Sequence, residues 1–193
     1  MWESCPSIVL GMVHVALLRG VNVGGKNKVE MARLRQVMER LGHQGVRTYI
    51  NSGNVVFSAK GKNDPATKIT AALEKEFGFR VEVLVKDIDA IETVERAIPE
   101  HWVDDKTMRT YVMFLWGEFD YPSIVDSLPL RADIDNVIYV DGAIIWQVAR
   151  ENVTRSGMGR LASSAMYKSM TIRNANTVRR IASMMRELAT AGD

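Results

Sequence analysis

Residues 13–18 (VHVALL) form a short apolar run, the pattern of a strand buried on both faces. After a polar loop the period changes. Met31, Leu34, Met38 and Leu41 recur at helical spacing and predict an amphipathic helix. Glu30 suits its first turn and Gly42 its C-terminal stop. Residues 46–50 and 55–57 are β-rich and flank Asn51-Ser52-Gly53-Asn54, where Gly53 can take the positive φ of a tight hairpin. Asp64-Pro65 predicts a second helix start, with Asp64 as cap and Pro65 at the first helical position. Ile69, Leu73 and Phe77 line one face of that helix, and Gly78 ends it. Residues 80–86 alternate, with Val81, Val83 and Val85 inward. The order is β-α-β-β-α-β, the ferredoxin-like split motif.

A third helix over about residues 88–98 stops at Pro99, and residues 99–107 (PEHWVDDKT) read as a linker. The pattern then recurs. A strand over 109–116 and a short helix over 121–128 come first. A hairpin of 134–140 with 143–149 turns across Asp141-Gly142, a strong hairpin dipeptide. A helix near 157–164, a strand near 168–172 and a long helix from Thr177 complete the half. The predicted fold class is α+β: two ferredoxin-like subdomains in tandem, with antiparallel sheets and a C-terminal helix. The subdomains are 12–98 and 108–193, joined by 99–107, and residues 1–11 read as an N-terminal extension. The duplication rests on element order, since no residue-level repeat is visible.

At 193 residues, 47% hydrophobic and 25% charged, the chain can bury a core without metal or disulfide help. The single cysteine, Cys5, forbids an intrachain disulfide, which points to a cytoplasmic protein. No run is apolar enough to span a bilayer, so no membrane partner is expected, and the N-terminus lacks the basic region of a signal peptide. The formal net charge of +2 hides an asymmetry. Between residues 19 and 35, Arg19, Lys26, Lys28, Arg33 and Arg35 face only Glu30. Between 155 and 186 stand seven Lys/Arg and no acid, whereas 87–141 carries thirteen acids against four bases. Blocks of one sign are commonly solvated faces, and they also form anion-binding surfaces.

The loop Gly20-Val21-Asn22-Val23-Gly24-Gly25-Lys26-Asn27 satisfies the spacing G-x-x-x-x-G-K of a phosphate-binding loop. Asn27 stands where the magnesium-ligating hydroxyl belongs, and the expected antiparallel sheet does not suit a nucleotide-hydrolysing P-loop. A weaker reading survives. The glycines let backbone N–H groups converge on an anion, with Arg19, Lys26 and Lys28 as countercharge. The alternative is that these glycines only make a tight strand-to-helix connection.

A second basic segment, Arg173-Asn174-Ala175-Asn176-Thr177-Val178-Arg179-Arg180, opens the last helix, with Asn176 or Thr177 as the expected cap. Arginines at a helix N-terminus oppose the macrodipole, so an anion there would offset them; the plainer reading puts Arg179 and Arg180 in solvent. Residues 14–58 and 173–177 resemble the bacterial family known as domain of unknown function 1697. The resemblance covers most of residues 12–188 and implies tandem ferredoxin-like subdomains with no established activity. At the C-terminal signature the family usually has tryptophan where this chain has Ala175, so any stacking role of that ring is absent or supplied elsewhere.

His14, His43 and His101 have no ligand spacing, so neither metal nor cofactor is expected, and His14 reads as a satisfied core histidine. Asp104, Asp105, Asp133 and Asp135 read as exposed acids. The leading expectation is a non-catalytic binding module for a phosphate-bearing ligand, a nucleotide or nucleic acid. Its candidate ligand-binding residues are Arg19, Asn22, Gly24, Gly25, Lys26, Asn51 and Asn54, together with Arg173, Asn174, Asn176 and Arg179. The two basic segments are expected to meet in one anion site. The rivals are an enzyme acting on a small phosphorylated or carboxylated substrate, with Asn22, Asn51 or Asn54 orienting it, and a structural homodimer built on edge strands.

Overall fold

The computed structural model describes residues 11–25, 27–60 and 65–191. The expectations for Lys26, for the Asp64 cap, for Cys5 and for nearly all of the N-terminal extension lie outside these residues. The chain divides into two compact units, 1–88 with 183–193, and 89–182. The third helix therefore belongs with the second unit, although its sequence places it before the 99–107 segment.

The first unit carries β1 (Met12–Leu18), α1 (Met31–Arg40), β2 (Gln44–Tyr49), β3 (Asn54–Ala59), α2 (Ala66–Phe77) and β4 (Val83–Asp87). The sheet order is β2-β3-β1-β4, with every neighbouring pair antiparallel. This is the ferredoxin-like arrangement, and it removes the parallel crossover that a nucleotide-hydrolysing P-loop needs. β1 is central, which explains its apolar run: Val15 to Leu18 are fully buried. The core joins Ala16, Leu18, Val55 and Phe57 of the sheet to Leu34 and Met38 of α1 and Ile69 and Leu73 of α2. Gly78 closes α2 in the left-handed conformation (φ 77°), as its sequence position predicts.

The second unit begins with α3 (Ile88–Ala97) and continues through β5 (Met108–Leu115), β6 (Asn136–Val140), β7 (Ala143–Ala149), α4 (Met158–Leu161) and β8 (Met170–Asn174) into α5 (Ala175–Thr190). The last turns of α5 belong to the first unit. The sheet order β6-β7-β5-β8, again antiparallel throughout, repeats the first. The β6–β7 hairpin turns at Asp141-Gly142, with Gly142 at φ 86°. The covering helices of this half are reduced. Residues 122–127 are a 3-10 helix, and α4 spans one turn. Pro122 and Pro129 interrupt one connection, and Gly157, Gly159 and the Ser163-Ser164 pair weaken helix propensity in the other.

One acid differs from its expectation. Asp135 is buried rather than exposed. Its carboxylate accepts from the Trp146 indole N–H (3.0 Å), the Ser156 hydroxyl (2.5 Å) and the backbone N–H groups of Arg131 and Gly157 (2.9 Å each). Burial alone would raise its pKa, but these hydrogen bonds outweigh burial and hold it below the usual carboxylate range. The carboxylate ties its own turn at 131–135 and residues 156–157 to the core tryptophan.

Candidate functional site

The described residues of the glycine-rich loop between β1 and α1 have an unusual backbone. Gly20, Asn22, Gly24, Gly25 and Asn27 all have positive φ, between 51° and 74°. Glycine takes this region without penalty, and asparagine tolerates it better than other residues. The glycines are not there to let another chain approach. A Cβ built on Gly20, Gly24 or Gly25 would meet nothing within 4 Å. Both Gly24 and Gly25 are solvent-exposed.

Asn22 organises the loop. Its side-chain amide donates to the carbonyls of Val29 (2.9 Å) and Asn51 (2.8 Å), and its side-chain oxygen accepts from the Val29 N–H (2.9 Å). The backbone N–H of Asn22 donates to Asn27 O (3.1 Å), and the Asn27 amide donates to Gly20 O (3.3 Å). The loop is thereby closed on itself and fixed to the β2–β3 turn. Asn54, fully buried, holds that turn by donating to Tyr49 O and Ser52 Oγ (3.0 Å each). Gly53 has no room for a side chain, since a Cβ would stand 2.7 Å from Leu18 Cβ and 2.8 Å from Val21 Cγ2. Ile50, in the same turn, also has positive φ (48°).

The expected first-unit residues Asn22, Asn51 and Asn54 thus gather in one place, beside Gly24 and Gly25. The side-chain amides of Asn22 and Asn54 serve largely to shape backbone, and Asn51 takes part through its backbone carbonyl. Arg19, whose N–H bonds Glu82 O (2.9 Å), marks the end of β1 where the loop begins. Lys28 is exposed on the far limb.

The second basic segment lies in the other unit. Arg173, in β8, is buried, and its guanidinium donates to Thr171 Oγ1 (2.9 Å) and Ile172 O (2.8 Å). Burial lowers its pKa to about 10, so it remains a cation at neutral pH. Asn174, rather than Asn176 or Thr177, caps α5: its side-chain oxygen accepts the Thr177 N–H at 2.7 Å. The helix starts two residues earlier than its sequence predicts, so the cap shifts with it. Asn176 donates to Asp104 O (2.8 Å), and Arg179 donates to Pro99 O (3.3 Å) and Trp102 O (3.2 Å). Arg179 is therefore engaged with the 99–102 backbone instead of pointing freely into solvent. Ala175 is fully buried.

His14 and His43 both pack against the ring of Phe57, a proximity their sequence positions do not reveal. His14 stacks on Phe57 (5.7 Å between centroids) and His43 tilts against it (4.5 Å). No group of three metal-ligating side chains occurs among the described residues. A groove of about 400 Å³ between α1 and α2 is lined by Val37, Arg40, Leu41, Ala72, Lys75 and Glu76, and it includes none of the expected site residues. Its rim is an exposed ion cluster in which Glu76 pairs with Arg33 (2.8 Å) and Arg40 (2.6 Å). Among the described residues no helix is long and apolar enough to cross a membrane.

A search of curated proteins finds no significant match. The chain is similar to a solved structure titled as conserved bacterial protein SP0830 from Streptococcus pneumoniae, with a TM-score of 0.76 and 28% identity. That likeness covers 90% of this chain and 98% of the other, so both halves of the fold are shared. The sequence model of the protein family of unknown function DUF1697 matches residues 12–146, and the chain belongs to that family.

Proposed function

We propose that the protein is a non-catalytic binding module for a phosphate-bearing ligand, nucleotide or nucleic acid, seated on the Gly20–Lys28 loop and acting in the cytoplasm. The observation that carries this reading is the set of positive-φ residues at 20, 22, 24, 25 and 27, pinned by Asn22, with open space above Gly24 and Gly25. Gly24 and Gly25 are consecutive, exposed and outside regular secondary structure, so their N–H groups are able to converge on an oxyanion. Lys26 and Lys28 add countercharge from the same loop, and Arg19 adds it from the end of β1. Asn27 lacks the hydroxyl of a magnesium ligand, which favours binding without hydrolysis.

The test is a titration of the full chain with a labelled single-stranded oligonucleotide and, separately, with ATP and GTP, across a salt series. Saturable binding that weakens as salt rises, and that Lys28→Ala reduces severalfold, is expected. Magnesium-dependent hydrolysis should be absent. Lack of binding to every one of these polyanions at low salt would refute the reading.

A further inference from the structure

We propose that Val23 and Ile50 form an apolar seat for the base of a nucleotide whose phosphates lie on the glycine loop; this rests on the function proposed above. Few large hydrophobic side chains of the described residues are exposed, and these two are among them, at 68% for Val23 and 50% for Ile50. They flank the same hydrogen bond. Asn22, next to Val23, donates to the carbonyl of Asn51, next to Ile50, at 2.8 Å. Both apolar side chains therefore stand at the junction of the loop and the β2–β3 turn.

Ile50 is the sharper observation. Its φ of 48° is the left-handed region, where a β-branched side chain is least at ease. The neighbouring positive-φ positions of the loop are all glycine or asparagine, the residues that fit. Burial does not compensate Ile50, because half of its surface is in water. Strain at an exposed position beside a candidate binding loop points to a ligand contact. A bare phosphate gains nothing from an isoleucine. A nucleotide carries a flat, weakly polar base within reach of its own phosphates, and covering the face of that base removes apolar surface from water on both sides.

The experiment compares inorganic tripolyphosphate with ATP and GTP by calorimetric titration of the full chain and of Ile50→Asn and Val23→Ala. At least one nucleotide should bind about tenfold more tightly than tripolyphosphate, a difference of about 1.4 kcal/mol. Ile50→Asn should remove most of that advantage and leave tripolyphosphate binding unchanged. Because asparagine relieves the left-handed strain, the same variant should melt at a higher temperature than the parent. Val23→Ala should lower nucleotide affinity without changing affinity for tripolyphosphate. Equal affinity for nucleotides and tripolyphosphate would overturn the apolar seat and leave the phosphate site standing. An equal loss of both ligands in Ile50→Asn, or a lower melting temperature, would also overturn it by making Ile50 a support of the loop. If neither tripolyphosphate nor a nucleotide binds, the phosphate site itself is wrong and the seat falls with it.

Discussion

Replacing Asn22 by alanine should unlock the glycine-rich loop, and the cost can be built from the structure. Three hydrogen bonds of 2.8–2.9 Å disappear: two donated to the Val29 and Asn51 carbonyls and one accepted from the Val29 N–H. At about 0.5–1.5 kcal/mol net for each, this is about 1.5–4.5 kcal/mol. Asn22 also sits at φ 56°, where an ordinary Cβ costs a further ~1–2 kcal/mol. The total loss is about 2.5–6.5 kcal/mol, on the order of 10 °C in melting temperature for a chain of this size. Asn22→Gly loses the same hydrogen bonds but not the backbone comfort, so it should be less damaging than alanine by about 1 kcal/mol. Asn22→Asp keeps the acceptor for Val29 and turns a carboxylate oxygen toward two carbonyls, so it should fare no better than alanine. Urea midpoints of the parent and the three variants decide the matter. An alanine variant within about 0.5 kcal/mol of the parent, the ordinary range of an indifferent surface change, would refute the view that Asn22 builds the loop.

Two glycines separate steric from conformational need. Gly157→Ala should destabilise more than Gly24→Ala, because a Cβ at Gly157 would collide with the Pro129 carbonyl while one at Gly24 meets open space; urea midpoints give the ranking. Asp135→Asn replaces an acceptor for four donors with a group that is half donor, so stability should fall by about 2–4 kcal/mol, read by the urea midpoint. Since the folded Asp135 pKa is depressed, the stability contributed by its ionised form is present above the unfolded carboxylate value and is lost as pH falls through the folded one. His43 acts in the same direction at milder pH. Burial, and then the neighbouring His14, lower its folded pKa below 6.5, so its neutral form stabilises the fold above that value. The contribution declines as pH drops through 6.5 toward the folded value, and His43→Gln should flatten that part of a stability profile measured between pH 5 and 8.

The tandem architecture was legible wherever local chemistry and tertiary packing agree. The apolar run of β1, the heptad-like face of α1, the Gly78 stop and the Asp141-Gly142 hairpin each satisfy local rules that the folded chain also obeys. The covering helices of the second half were less legible, because proline, glycine and serine leave a 3-10 helix over 122–127 and a one-turn helix over 158–161 where the repeat suggests full helices. Asp135 reads as one acid in a polar stretch; its burial is set by Trp146 and Ser156, which arrive from distant segments. The cap of α5 moved to Asn174 because β8 runs directly into the helix with no intervening loop. The asparagines of the candidate site were identified by type and position. That Asn22 shapes backbone depends on the approach of Asn51, which sequence spacing does not disclose. The positive φ of Ile50 had no local signal at all, since isoleucine in a β-rich run predicts an extended strand.

The glycine loop as an anion site is tested most directly by following backbone amide resonances of the full, isotopically labelled chain during titration with inorganic tripolyphosphate at low salt. The amides of Gly24, Gly25, Asn27 and Lys28 should shift together along one saturable curve, and added salt should reverse the shifts. Resonances of this loop that stay fixed while the polyanion binds elsewhere, or that stay fixed because nothing binds, would contradict the account.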